Sequence, residues 1–259
     1  MSDVEAAVQG FAALDHEALS RPWGWRGGTI DVRYALYRTL EEAQEAHVRV
    51  VGEPHPESRR VLALAQRAFG DLRGLVAGLP TDVLDAAPRA GEWSIRQTLH
   101  HLLVIERRYA LQTLYAVQRT NAEPVRIPED RLPTPAQLDD RGDVDALLAR
   151  LADARAETDR RLGALPAAAL LRPTIWVKVD VDVRFRLHRF ASHLVEHTVQ
   201  CEKTLSALGR AEPEGRRIVR RLTAALGELE GLGAATAARD IEARLAERFT
   251  ALSPAAAAG

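Results

Sequence analysis

Two histidines four residues apart, His193 and His197, are the residues best placed for chemistry in this 259-residue chain. On a helix they differ by about 40° around the axis, so both rings can reach one point. Imidazoles so placed can each give a nitrogen to one divalent ion. Alone, a His-x-x-x-His pair also fits exposed rings or rings hydrogen-bonded in a core. Its surroundings argue for metal. Leu187, Phe190, Ala191, Leu194 and Leu205 mark a helix that must pack, and ionisable rings near a packed side need partners to offset desolvation. A third ligand has to come from another helix, where His100 and His101 are the clustered candidates. These two point about 100° apart, and periodicity does not choose between them. Three nitrogens plus water would leave an open position that can polarise a substrate or lower the pKa of water or a thiol.

The elements that carry these rings are legible from caps and apolar spacing. The histidine pair lies on an expected helix from Val183 or Arg184 to Leu208, closed by Gly209. His100 and His101 lie on one from Ser94 to about Gln118, with Ser94 as N-cap, Gln97 as its capping-box partner and Trp93 as a staple. Glu57–Leu79 and Val144–Leu165 each carry an apolar stripe, the second capped by Asp143. Asp31 caps a helix to about Val48. Residues 1–30 show no single pattern; within them the run Trp23 to Gly28 reads as a loop whose tryptophans pack on the bundle, or as a lid over a pocket. Residues 119–142 hold four prolines and read as a long loop with a short turn at 135–140. Residues 173–183 are apolar at every second position from Ile175 to Val183 and read as one extended segment or as one arm of a small hairpin, with no second strand evident nearby. A helical pair, 213–229 and 234–252, follows Gly209, and the end beyond Ser253 reads as frayed. No internal repeat is evident.

Composition narrows the classes. Lys plus Arg (35) balances Asp plus Glu (36), which gives no support for broad nucleic-acid binding. Arg216, Arg217, Arg220 and Arg221 form the best basic cluster and read as a solvated helix face. With Cys201 alone an internal disulfide is impossible, and a reducing compartment fits. The acidic start, Met-Ser-Asp-Val-Glu, lacks the form of a signal peptide, and no run is apolar enough to span a bilayer. A cytoplasmic location with no membrane partner is the expectation.

The run Gly91-Glu92-Trp93-Ser94-Ile95-Arg96-Gln97-Thr98-Leu99-His100-His101-Leu102 resembles the first signature of the DinB-like superfamily, roughly Gly-x-Trp-Ser-x-Arg-x-x-x-x-His-Leu. The run His193-Leu194-Val195-Glu196-His197-Thr198-Val199-Gln200, followed by Leu205 and Gly209, resembles the second, about ninety residues on. This resemblance selects His101 as third ligand beside His193 and His197. It implies an all-α fold: an antiparallel four-helix bundle over 57–209, with an N-terminal extension (1–56) packed on it and a C-terminal helical hairpin (210–259). It further implies one divalent ion, zinc or nickel, and a homodimer. The activity implied is transfer of a low-molecular-weight thiol to a small electrophile, both small-molecule partners. The first 50 residues and the helices after Gly209 lie outside the usual core of that family. A non-catalytic metal-binding stress or scaffold protein and a metal-dependent hydrolase are the alternatives; the hydrolase lacks an evident general base.

Other residues carry two readings each. Glu196 and Glu106 could accept a proton or orient a ligating histidine, or sit on solvated helix faces. Arg189, four residues before His193, could bind a substrate carboxylate. Cys201 reads as a small buried residue, because about 12 Å of helix rise from His193 makes shared ligation difficult. Gln200 reads as bonding another helix, Trp93 as helix-entry packing, and Trp176 as a pocket wall or plain packing.

Overall fold

The computed structural model describes residues 2–256. In chain order the elements are α1 (Asp3–Ala13), α2 (His16–Leu19), β1 (Pro22–Trp25), β2 (Gly28–Asp31), α3 (Val32–Val51), α4 (Glu57–Val76), α5 (Thr81–Asp85), α6 (Ile95–Gln118), α7 (Val144–Leu162), α8 (Ala167–Leu170), β3 (Pro173–Trp176), β4 (Val179–Asp182), α9 (Val183–Ala207), α10 (Glu214–Gly231) and α11 (Ala235–Ala256). The expected frayed end is helical to Ala256, and residues 257–259 lie outside the described residues. Short polar side chains start the long helices by bonding free N–H groups of the first turn. Asp31 accepts from Tyr34 N, Asp143 from Ala146 N and Asp182 from Phe185 N. Ser94 and Gln97 form the complete reciprocal box at α6.

The long helices sort into two four-helix groups, each around its own apolar core. Leu62, Leu72, Leu102, Leu151, Phe190 and Leu194 belong to the core enclosed by α4, α6, α7 and α9. Phe11, Leu36, Leu222, Leu229, Ile241 and Leu245 belong to that of α1, α3, α10 and α11. The two ends of the chain therefore do not form separate appendages on a single bundle. They close on each other as one second body, α3 and α1 from one end of the chain packing on α10 and α11 from the other. The groups meet along α4 and α10. There a Cβ on Gly70 would lie 2.2 Å from the Thr223 carbonyl oxygen and one on Gly74 2.7 Å from Arg220 Cα, so only glycine permits this approach.

Two further expectations are corrected. The run Trp23 to Gly28 is not a plain loop: it lies in a hairpin in which Trp25 pairs with Gly28 and Arg26 and Gly27 turn at positive φ, and the residues before it form α1 and α2. The alternating run 173–183 is not one strand. It folds on itself, Trp176 pairing with Val179, with Val177 in the left-handed region at φ 58°. Both arms come from the same run, so no second strand was visible elsewhere, and valine carries no turn signal. The long loop contains two 3-10 turns, Glu129–Arg131 and Pro135–Gln137.

The groups also share a sequence register. Shifting by 151 positions sets Leu19, Arg21, Pro22, Trp25, Asp31, Val32, Arg33, Leu36 and Arg38 on Leu170, Arg172, Pro173, Trp176, Asp182, Val183, Arg184, Leu187 and Arg189. The two hairpins have the same pairing under that shift, and the positive-φ residues Arg26 and Val177 coincide. Shifting by 157 sets Pro56-Glu57-Ser58-Arg59-Arg60-Val61 on Pro213-Glu214-Gly215-Arg216-Arg217-Ile218. An internal repeat is thus present. It is not evident in the sequence because no single shift serves the whole chain: the offset is 151 positions at the hairpins and 157 at the start of α4 and α10.

Candidate metal centre

The capping box of α6 and the hairpin entry of α9 fix the start of the two helices that carry the rings. His193 Nε2 lies 3.3 Å from His101 Nε2 and 3.1 Å from His197 Nε2. The three ligand atoms all fall within 4.8 Å of one another and could hold a metal ion. Nitrogens each about 2.0–2.1 Å from a tetrahedral ion would be about 3.4 Å apart, so the donor spacing fits one. His100 is not among them: its Nε2 bonds the carbonyl of Leu138.

Two of the rings, His101 and His193, are held in the neutral form that ligates. Burial, reinforced by the neighbouring His197, pushes His101 down to about 4. Burial together with His197, His101 and Arg189 pushes His193 down to about 3. Gln200 Oε1 accepts from His197 Nδ1 at 2.7 Å, which leaves Nε2 of that ring as a lone pair aimed at the cluster. Gln200 thus serves its own helix and does not reach another. Trp93 is also more than entry packing. Its ring lies 5.0 Å from that of His101 and stacks on His197 at 6.4 Å, 13° from parallel, and it stays 40 % exposed. Tyr109, two turns beyond His101, sets its ring 5.5 Å from His193 on the other side. Neither aromatic carried a chemical signal in the sequence; the i+8 spacing from His101 is the one cue for Tyr109.

The remaining residues stand farther out. Glu196 is exposed and 3.6 Å from Arg189, whose guanidinium lies over Trp176 and bonds Ser192. Trp176 therefore walls a separate hollow with Phe185, His188 and Arg189. Glu106 is not on a solvated face. It is buried, accepting from Arg155 at 2.8 Å and Thr158 at 2.6 Å, while Arg155 also bonds Gln66 and Asp159. Burial raises Asp159 to about 6 despite the Arg155 charge. Cys201 is fully buried and pushed up to about 12 by desolvation, so it is an inert packing thiol. Of the basic cluster, Arg216 bonds the carbonyls of Leu75 and Ala77, and Arg220 pairs with Asp71, Glu202 and Glu212, so these two are not a solvated face.

A cleft of about 650 Å³ opens at His197. Pro88, Arg89, Glu92 and Trp93 line one wall, and Gln200, Lys203 and Thr204 the other. Arg89 and Lys203 carry no ion pair among the described residues.

The DinB superfamily model matches residues 64–201, more than half of the chain and all three histidines. The chain belongs to the DinB superfamily. Among solved structures, this DinB chain is similar to YfiT from Bacillus subtilis, described as a probable metal-dependent hydrolase with an unusual four-helix bundle topology. The identity is 18%, the TM-score 0.50, and the match covers 62% of this chain and 97% of that one, a likeness of fold. No curated protein matches the sequence. No helix of the described residues is long and apolar enough to cross a membrane.

Proposed function

We propose that this DinB protein is a metal-dependent hydrolase of small anionic substrates, with His101, His193 and His197 as ligands of one divalent ion. The observation that carries the reading is the convergence of three imidazole nitrogens beside an open cleft. Zinc and nickel both suit such a donor set, and either would act as a Lewis acid on water and on a substrate carbonyl or phosphoryl oxygen. YfiT, described as a probable metal-dependent hydrolase, supports the choice of reaction class.

The chain's own residues do the rest. Gln200 fixes the tautomer of His197. Trp93 and Tyr109 exclude water from two sides of the rings and leave the third side to the cleft. Lys203 lies about 9 Å of helix rise beyond His197, so an anionic group held there sits several ångströms from the reacting bond. A second hollow, about 710 Å³, also has arginines, but Arg216 and Arg220 are already bonded within the protein. Arg89 and Lys203 remain available to a substrate. Glu196, on the helix turn next to His197, is the nearest carboxylate on α9 to serve as proton acceptor, and Arg189 orients it. Thiol transfer would use the same donors and the same cleft, with the basic rim holding a thiol's carboxylate.

The test is a panel of small carboxylated amides, esters and phosphoesters, run with zinc or nickel and with chelator, with and without added thiol. Metal-dependent turnover without thiol, lost in His193→Ala, is the expected result. Turnover that requires a thiol would replace hydrolysis by thiol transfer, and no turnover in either arm would leave a metal-binding scaffold.

A further inference from the structure

The two four-helix groups correspond element by element. If α4, α6, α7 and α9 are matched to α10, α11, α1 and α3, four packing contacts have their counterparts: α4 on α9 becomes α10 on α3, α6 on α7 becomes α11 on α1, α6 on α9 becomes α11 on α3, and α4 on α7 becomes α10 on α1; the packing of α10 on α11 is closer than that of α4 on α6. The correspondence reaches single bonds. Arg184 Nε donates to Glu57 Oε1 at 2.5 Å, and Arg33 Nε to Glu214 Oε1 at 2.6 Å. Leu165 N donates to Ser58 Oγ, and Gly215 N, at the position matching Ser58, to the carbonyl of Leu14, which matches Leu165. Across the seam, a Cβ on Gly70 would meet the Thr223 carbonyl at 2.2 Å and one on Gly227 the Gln66 carbonyl at 2.4 Å. Gly74 faces Arg220 Cα and Gly231 faces Ala63 Cα. Under the 157-residue shift, Gln66 falls on Thr223 and Ala63 on Arg220, so each contact is the image of the other. That reciprocity is what a two-fold interface requires.

The interiors differ at the positions that matter. The 151-residue shift sets Glu42 on His193 and Ala46 on His197. From α11, Arg248 bonds both carboxylate oxygens of Glu42 at 2.8 and 3.1 Å, Arg244 lies at 3.2 Å, and Arg38 of α3 closes the set at 3.4 Å. Burial opposes ionisation of Glu42, but the bonds and charges of Arg248, Arg244 and Arg38 hold it below the usual carboxylate range.

We propose that α1, α3, α10 and α11 form a metal-free replica of the histidine-bearing group, fused in the same chain as its permanent partner, with the Glu42–arginine cluster standing where the other group holds its ion. The guanidinium charges supply internally the positive charge that an ion would bring, and the α4–α10 seam fills the face on which a second copy would dock. The functional unit is then one chain with one ion.

Light scattering and a Co(II) titration followed by its visible absorption test this on the full chain. A one-chain mass of 28.5 kDa that holds between about 1 and 100 µM, with one ion bound, is expected. Glu42→Gln should leave that stoichiometry unchanged and lower Tm by at least about 5 °C, whereas His193→Ala should abolish the Co(II) spectrum. Gly70→Ala and Gly227→Ala, as images of each other, should lower Tm alike. A two-chain mass throughout that range would overturn the built-in partner, and a second Co(II) equivalent removed by Glu42→Gln would overturn the metal-free replica. The mass and the Co(II) stoichiometry are both read on the wild-type chain, so a two-chain mass or a second Co(II) equivalent counts against the proposal even if the variants do not fold.

Discussion

The same frame surrounds opposite interiors in the two halves of this molecule. Both groups start their hairpin helix with an aspartate cap, both lock it with an arginine–glutamate bond, and both offer glycines to the seam. Yet one interior gathers three imidazoles and the other a carboxylate among three arginines. Caps, turns and seam residues determine the backbone, and a few positions on two helices then decide whether that backbone draws in a cation or neutralises itself. This agrees with the general independence of fold and chemistry.

The sharpest way to break the comparison is to strip the histidine group. His193→Ala should weaken zinc binding, read by competition with a chelator, by more than the roughly 100-fold that loss of an outer partner costs; an affinity close to wild type would reassign the centre. Arg155→Ala comes next. It leaves Glu106 buried without its guanidinium, at a cost of about 3–5 kcal/mol in urea unfolding. Nothing matches this pair in the other half, where position 4 is a valine. Gln200→Ala should weaken metal binding about 10–100-fold and leave the unfolding midpoint of the metal-free chain almost unmoved. Asp31→Ala and Asp182→Ala should each cost about 1 kcal/mol, and a large inequality between them would show that the two frames are not equivalent. The smallest effect is one of pH. Hydrogen bonding to Arg184 lowers Glu57, and hydrogen bonding to Arg33 and His16 lowers Glu214 to about 2. A carboxylate with a depressed folded pKa contributes stability that is present above its unfolded value of about 4.5 and lost as pH falls toward 2. Both groups are only partly buried, so screening keeps the contribution modest. Glu214→Gln should flatten the acid slope of unfolding slightly more than Glu57→Gln.

What the sequence disclosed and what it concealed follow from the range of the interactions. Ser94, Asp31, Asp143 and Asp182 all act within three residues; the helices begun by the first three were readable from cap and stripe, whereas Asp182 was masked by the alternating run it ends. His193 and His197 stood out because one helical turn relates them. Choosing His101 over His100 needed a family pattern, since periodicity left both open. Gln200 was visible, but its target was not: a helix-surface glutamine reaches its own third neighbour or another helix with equal ease. Glu42 and Arg248 are 206 positions apart, and Arg155 and Glu106 are 49 apart; nothing local announces either pair. The repeat was hidden for another reason: its offset changes from 151 to 157 positions between the hairpins and the start of α4 and α10, so no single shift serves the whole chain.

The replica group joins helices from the two ends of the chain, and this orders its assembly in time. Residues 57–207 can close their own core while synthesis continues, but α1 and α3 leave the ribosome long before α10 and α11, the surfaces that bury them. Until then the apolar faces of Val8, Phe11, Leu36 and Ala43 stand open to water, a condition that invites chaperone binding or aggregation. Contacts that join the opening and closing helices also have long loop closures to cover, so this half should form last and slowest.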